Sequence, residues 1–216
     1  AGVPPITANA TSSVTQFPGY VTSTLAYRRD IARFWRGALV LALLSAFGAL
    51  AGAAILLVLD NDEFRRTVPW LLLGATALFA AGPWLKPKPS EAAPSRSVGS
   101  VPGSIVQFLT AVYGGFFGAG MGVMMLATLG LTQPADYHRL NALKNLLSIV
   151  IAFVAILVFV SGGLISWFHA AAMVPGVALG GYWGVWAAKR LPQTVLRSVV
   201  IVVGLSLAAY YFATAN

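Results

Sequence analysis

Cysteine is absent from this 216-residue chain, and charged side chains are rare, at 9% of the residues. Without thiols the chain forms neither a disulfide bond nor a thiolate metal site. Soluble domains average about 25% charged residues, whereas 58% of the residues here are hydrophobic. The scarcity of charge therefore predicts an integral membrane protein of the helical type.

Acidic residues are the scarcest charged group, and all six lie in loops or at the ends of the apolar runs. They are Asp30, Asp60, Asp62, Glu63, Glu91 and Asp136. No carboxylate is therefore placed within a membrane span to carry a proton or bind Na⁺. Paired carboxylates, phosphate-binding loops and metalloprotease motifs are also missing from the sequence. We predict no enzymatic activity, no cofactor and no metal site.

Apolar runs dominate the remaining sequence, and several reach the roughly 20 residues that cross a bilayer. They predict six spans, at about 6–27, 35–59, 66–84, 139–160, 167–188 and 197–214. A further apolar unit, about 103–131, is interrupted by glycines. Residues 85–102 are rich in Pro and Ser and predict a cytoplasmic linker.

The net charge of +8 comes from basic residues in short loops beside the apolar runs. The positive-inside rule explains this pattern, so we predict no nucleic-acid partner. It places the loops 28–36, 86–96 and 189–197 in the cytoplasm and the loops 59–66 and 161–166 outside. These loop positions are consistent with one another only if the unit 103–131 enters and leaves the membrane on the same side. This favours a re-entrant hairpin over a single crossing.

A polar stripe occurs twice in the chain. Its second copy occupies positions i, i+3, i+4 and i+7, which share one face of a helix. This copy consists of Asn141, Lys144, Asn145 and Ser148. Subtracting 132 from each number returns Asn9, Ser12, Ser13 and Gln16, and the same offset pairs Arg65 with Arg197.

The offset predicts two repeats, 1–84 and 103–216, each with three spans and a Gly-rich element. The first copy of that element would precede residue 1 and be missing from this chain. Three crossings per repeat give the two halves opposite orientations, an arrangement typical of secondary transporters.

The Gly-rich element runs from Tyr113 to Gly122 and holds five glycines in ten residues. Each glycine costs a helix interior roughly 1 kcal/mol relative to Ala, and non-helical backbone at membrane depth must line a cavity or be buried in protein. Free N–H groups at Gly118, Gly120 and Gly122 would cradle an anion. The alternative is close helix packing through GxxxG pairs.

Lys144 is the one Lys or Arg placed to face the interior of a span. A cation there indicates function, although its long side chain also has the reach to snorkel to the cytoplasmic interface. The polar residues of the first stripe, with Thr11 and Thr15 beside them, line a solute path or form interhelical hydrogen bonds. Both alternatives remain open.

Three segments carry a resemblance to a known family. The runs GGFFGAGMGVMML (Gly114–Leu126) and HRLNALKNLLS (His138–Ser148) resemble the sulfite exporter TauE/SafE family of membrane permeases. The run ITANATSSVTQFPGYVTSTLAYRR (Ile6–Arg29) is similar to the first-half counterpart in that family. Ala119 and Met121 depart from it, because the family often has Gly there.

The resemblance implies a multi-pass transporter of small sulfur-containing anions, such as sulfite or organosulfonates, in a bacterial or archaeal plasma (inner) membrane. The family motif residues on this chain are Asn9, Thr11, Ser12, Ser13, Gly118, Gly120, Gly122, Asn141, Lys144 and Asn145.

We therefore predict an exporter that binds an anion near the membrane midplane, between the repeats. Amides, hydroxyls and glycine N–H groups would replace hydration, and Lys144 would balance the charge. The partners would be the anion and the bilayer, and a homodimer is one option for assembly. The alternatives are a non-transporting scaffold or accessory subunit and a permease for another small ion, such as a cation.

Overall fold

The computed structural model describes residues 2–85, 101–132, 137–188, 190 and 192–214, and its regular secondary structure is entirely α-helical. The helices are α1 (Pro5–Ala26), α2 (Arg28–Val58), α3 (Asn61–Leu85), α4 (Val101–Phe116), α5 (Met121–Thr132), α6 (Tyr137–Ser161), α7 (Trp167–Ala188) and α8 (Gln193–Thr214). The predicted linker lies outside the described residues, except at its two ends. The division into two repeats thus stays a prediction.

Three helices are long and apolar enough to cross a membrane within the described part of the chain. The segments are Gly37–Val58 in α2, Arg139–Ser161 in α6 and Arg197–Thr214 in α8. Three of the six predicted spans are thus supported by length and composition. Helix α1 has 22 residues but is less apolar, because its polar stripe and threonines fall within it.

Two of the predicted loops are wrong, because helix extends through most of each. Helix α2 begins at Arg28, after a turn at Tyr27. The loop 59–66 is reduced to Leu59 and Asp60, since α3 begins at Asn61. Asp60 Oδ1 accepts a hydrogen bond from Glu63 N at 2.7 Å, and Glu63 Oε2 accepts one from Asp60 N at 3.3 Å. This reciprocal capping box starts α3 earlier than the apolar pattern predicts.

The Gly-rich unit is a helical hairpin made of α4 and α5. Its two helices run antiparallel, because Thr110 Oγ1 lies 3.5 Å from Thr128 Oγ1 and Gly114 packs on Met121. Helix α5 has 12 residues, or about 18 Å of length, against about 30 Å of bilayer core. The chain therefore enters and leaves the hairpin at the same end, as the hairpin prediction requires.

Helix α4 packs parallel to α2 through small residues. A Cβ atom on Gly48 would lie 2.7 Å from the Phe108 carbonyl oxygen, and one on Gly52 or Gly115 would overlap the backbone of the facing helix. Such close approach of two backbones is possible only at glycine. The hairpin thus packs closely against α2.

Helices α1 and α6 are antiparallel, and so are α3 and α8. Phe17 lies 6.3 Å from Phe153 between ring centroids, and Ser166 N, just beyond α6, donates to Thr11 Oγ1 at 3.1 Å. Along α3 and α8, Trp70 contacts Phe212 at one end and Arg197 donates to the Ala80 carbonyl at the other. Each pair joins corresponding parts of the two predicted repeats.

The helix ends sort into two groups at opposite ends of the bundle. Ile6 N donates to Asn61 Oδ1 at 3.1 Å, so the α2–α3 turn lies beside the start of α1, as does Ser166. The α1–α2 turn lies at the opposite end of α2. The two turns predicted to be outside therefore share one end of the molecule, away from Arg28 and Arg29.

Candidate functional site

The tip of the hairpin, residues 117–120, is held in a conformation that requires glycine. Gly118 and Gly120 both have φ +72°, a left-handed value that costs other residues energy. The N–H groups of Phe117 and Gly118 bond to the Tyr113 carbonyl at 2.9 and 3.3 Å, and Met121 N bonds to the Gly118 carbonyl at 3.1 Å. Only four residues thus separate the end of α4 from the beginning of α5.

Three backbone N–H groups at the tip and in the first turn of α5 remain free for a ligand. In the described part of the chain, Ala119, Gly120 and Gly122 have no acceptor for theirs. They lie at the N-terminus of α5, where the helix dipole adds partial positive charge. The donors predicted at Gly120 and Gly122 are therefore present, and Ala119 replaces Gly118 as the third.

Two side chains fix the tip by donating hydrogen bonds to its carbonyl groups. The Asn9 amide donates to the Phe116 carbonyl at 3.0 Å from α1, and the Tyr113 hydroxyl donates to the Ala119 carbonyl at 2.6 Å from within the hairpin. Sequence reasoning missed Tyr113, because an aromatic residue in an apolar run indicates packing. The feature of the sequence that could have indicated this role is the position of Tyr113, six residues before Ala119 and beside a run of glycines.

A small cavity lies against the tip, between α1 and α6. Its volume is about 10 Å³, close to the least that one water molecule needs. It is lined by Ser13, Gln16, Tyr20, Gly114, Gly118, Met121, Ala152 and Ala155. The cavity is thus too small for an oxyanion, and a passing solute would require the surrounding helices to separate.

The stripe on α6 is buried and continues into the cavity. Asn141, Asn145 and Ser148 are 9%, 6% and 0% exposed, and Ser148 Oγ has no hydrogen-bond partner among the described residues. Ser148 is one turn from Ala152, which lines the cavity, and the two share a helix face. The stripe therefore leads from the beginning of α6 to the hairpin tip.

Lys144 lies beside the first turn of α5. Its side chain is half-buried, and its Cδ is 4.0 Å from where a Cβ atom on Gly122 would lie. The ammonium group is carried on the stem that lies beside Gly122, one of the residues with a free N–H. A cationic side chain and a backbone donor thus belong to neighbouring positions, which favours a bound anion.

The stripe on α1 serves two purposes. Ser12 and Ser13 donate to the Asn9 carbonyl at 2.8 and 3.3 Å, and Gln16 Nε2 donates to the Ser12 carbonyl at 3.3 Å. These bonds satisfy the side chains within their own helix, yet Ser13 and Gln16 also face the cavity. Asn9 and Thr11 instead bond to other elements, as the interhelical alternative describes.

The two stripes approach the tip from opposite ends of the bundle. Asn9 lies close to the end of α6, because α1 runs antiparallel to it and Thr11 bonds to Ser166. Asn141 lies 20 residues before the end of α6, at Ser161, or about 30 Å away along the helix. Asn9 and Asn141 are therefore not brought together; instead, Ser13 lies near Gly118 and Lys144 lies near Gly122.

Comparison with known proteins agrees with the membrane character of these helices. The family model described as sulfite exporter TauE/SafE matches residues 1–211. A probable membrane transporter protein of Haemophilus influenzae is 25% identical over 215 residues, covering 96% of this chain and 80% of the relative.

Two further relatives carry the same description. One from a Sinorhizobium species is 28% identical over 214 residues, covering 96% of this chain and 78% of the relative. One from Escherichia coli K12 is 23% identical over 211 residues, covering 97% and 77%. No solved structure matches the chain. With its apolar helices, this integral membrane protein therefore belongs to the sulfite exporter TauE/SafE family, a family of membrane transporters.

Proposed function

We propose that this protein exports a small oxyanion of the sulfite or organosulfonate class, bound at the hairpin tip. The observation that carries the proposal is the free N–H groups of Gly120 and Gly122, with Lys144 beside Gly122. The family name supports the sulfur-containing anion.

The donor set explains the preference for an anion. Removing an anion from water is costly unless hydrogen-bond donors and positive charge replace its hydration. Backbone N–H groups, the ammonium of Lys144 and the partial charge at the start of α5 supply both. A cation permease is disfavoured, since Lys144 would repel its substrate.

In the inverted repeat that we propose, this site lies between two related halves. Helices α1 and α6 begin 132 residues apart, as do α3 and α8, and each pair is antiparallel. Arg65 donates to the Thr214 carbonyl at 2.7 Å, and its counterpart Arg197 donates to the Ala80 carbonyl. The two arginines thus make similar contacts at opposite ends of the α3–α8 pair, which supports a pseudo-twofold axis in the membrane plane.

In this arrangement α1, α3 and α7 cross the membrane with α2, α6 and α8, and the hairpin re-enters from the cytoplasmic side. The plasma membrane potential then drives export. An inside-negative potential favours outward movement of an anion by about 2.3 kcal/mol per charge per 100 mV. Export therefore needs no coupled cation.

Sulfite flux in proteoliposomes tests the function. Lys144→Gln should lower the flux at least about tenfold, the effect of losing one charged hydrogen bond or more, while Lys144→Arg should retain part of it. The matched control is Arg66→Gln, which removes one positive charge from an exposed position on α3. It should transport like the wild type.

The outcomes separate the proposed function from its alternatives. Undiminished flux in Lys144→Gln would remove Lys144 from the mechanism. A folded wild-type protein that carries no anion would favour the scaffold, and flux of Na⁺ or K⁺ without sulfite would favour the cation permease.

A further inference from the structure

We propose that Tyr113 is the positioning residue of the anion site, which holds the Ala119–Gly120 peptide so that the Gly120 N–H faces the anion. This inference rests on the proposed function and adds a residue outside both polar stripes. Tyr113 does not itself contact the anion.

The hydrogen bond from Tyr113 sets the direction of that peptide. Its hydroxyl donates to the Ala119 carbonyl at 2.6 Å. In a trans peptide the C=O and the following N–H point in opposite directions, and the structure contains no cis peptide bond in its described part. The Gly120 N–H therefore points away from the Tyr113 hydroxyl.

The Tyr113 ring is itself held in place. It packs against the apolar cluster that contains Phe64 and Phe159 and meets the Phe117 ring edge-on, with centroids 6.1 Å apart and an interplanar angle of 76°. The hydroxyl is thus carried by a ring with little freedom. Lys144 lies elsewhere, beside Gly122 on the first turn of α5.

The tip needs such a restraint because its own residues do little to restrict rotation of the peptide groups. Gly118 and Gly120 have no side chain to limit rotation of their peptides, and a Cβ atom on Gly120 would have no neighbour within 4 Å in the described part of the chain. Donors that are already oriented bind an anion without an ordering cost. Removing the Tyr113 hydroxyl would restore that cost.

Tyr113→Phe tests this inference, since it keeps the ring and removes the hydroxyl. We expect the KM for sulfite flux to rise about fivefold to tenfold, as loss of one hydrogen bond predicts, with the maximal rate within about twofold of the wild type. The control is Tyr210→Phe, which removes a hydroxyl from a residue that is 62% exposed on α8; its KM should not change.

A second variant tests whether Tyr113 acts through the tip. Gly120→Ala disturbs the same peptide, because φ +72° disfavours alanine. In the Gly120→Ala background, Tyr113→Phe should raise the KM less than about twofold, since residues that act on one group are not additive.

Each result bears on the inference. An unchanged KM in Tyr113→Phe, or full additivity with Gly120→Ala, would overturn it and leave the proposed function standing. Loss of the folded protein in Tyr113→Phe, measured by thermal unfolding in detergent, would assign the hydroxyl to folding and also overturn it. A wild type that carries no anion would overturn the proposed function, and this inference with it.

Discussion

Two buried serines of the bundle differ in whether their hydroxyl groups have a hydrogen-bond partner. Ser45 Oγ accepts a hydrogen bond from Gln107 Nε2 at 2.8 Å, whereas the equally buried Ser148 hydroxyl has no partner among the described residues. A buried polar group without a partner costs about 1–3 kcal/mol. Ser148 is therefore a residue whose presence folding does not explain, beside the proposed path of the solute.

Ser148→Ala should accordingly leave the thermal unfolding temperature unchanged or raise it, while lowering sulfite flux. Ser45→Ala is the matched control: it leaves the Gln107 amide unpaired in the bundle and should lower the unfolding temperature. Thermal unfolding in detergent and flux in proteoliposomes measure the two effects. Lower stability with full flux in Ser148→Ala would contradict a role for this hydroxyl in transport.

At the scale of elements, the close contact between α2 and α4 limits which helices move relative to one another. Gly52 and Gly115 bring the two backbones together, so the hairpin follows α2. The cavity instead lies between α1 and α6, and it is too small for the proposed solute. Helix α6 shares a buried core with α2 and the hairpin. We therefore expect α1 to move away from α6 and the hairpin during transport.

Gly52→Ala tests how closely α2 and α4 pack. The added methyl group would overlap the Val112 carbonyl, so we expect a loss of stability of about 1–3 kcal/mol from overpacking. Gly74→Ala on α3 is the control: a Cβ atom there meets nothing within 4 Å, and alanine favours the helix by about 1 kcal/mol. Equal unfolding temperatures for the two variants would show that the helices are not in close contact.

For the whole molecule, the inverted arrangement that we propose predicts which helix ends face each side of the membrane. The α2–α3 and α6–α7 turns share one end of the bundle, and the start of α8 lies at the other, since Arg197 bonds to the end of α3. The positive-inside rule assigns the second end to the cytoplasm.

The absence of cysteine makes this topology directly measurable with single introduced thiols. Asp60→Cys and Gly163→Cys should react in intact cells with a thiol reagent that does not cross membranes. Arg190→Cys should react only after the cells are opened. Labelling of Asp60→Cys and Gly163→Cys from opposite sides would exclude the arrangement of three crossings and a re-entrant hairpin.

The sequence alone determined the class of protein and the approximate location of the helices, and it predicted the chemical type of the site. Apolar runs without acids specify helices, three of which are long and apolar enough to cross a membrane in the described part of the chain, and five clustered glycines specify a break in the helix at the tip. The helix starts were less predictable: α2 extends through a run of arginines, and a capping box starts α3 early, because local hydrogen bonds act independently of hydropathy.

The tertiary structure decided which polar groups meet. Periodicity assigns Asn9 and Asn141 to equivalent positions, but the antiparallel packing of α1 and α6 moves them to opposite sides of the tip. Ser13 lies near Gly118 and Lys144 near Gly122 instead, and the role we propose for Tyr113 depends on a carbonyl that only the folded hairpin presents. Contacts of this kind depend on how helices distant in sequence align, and no single helix encodes that alignment in its own residues.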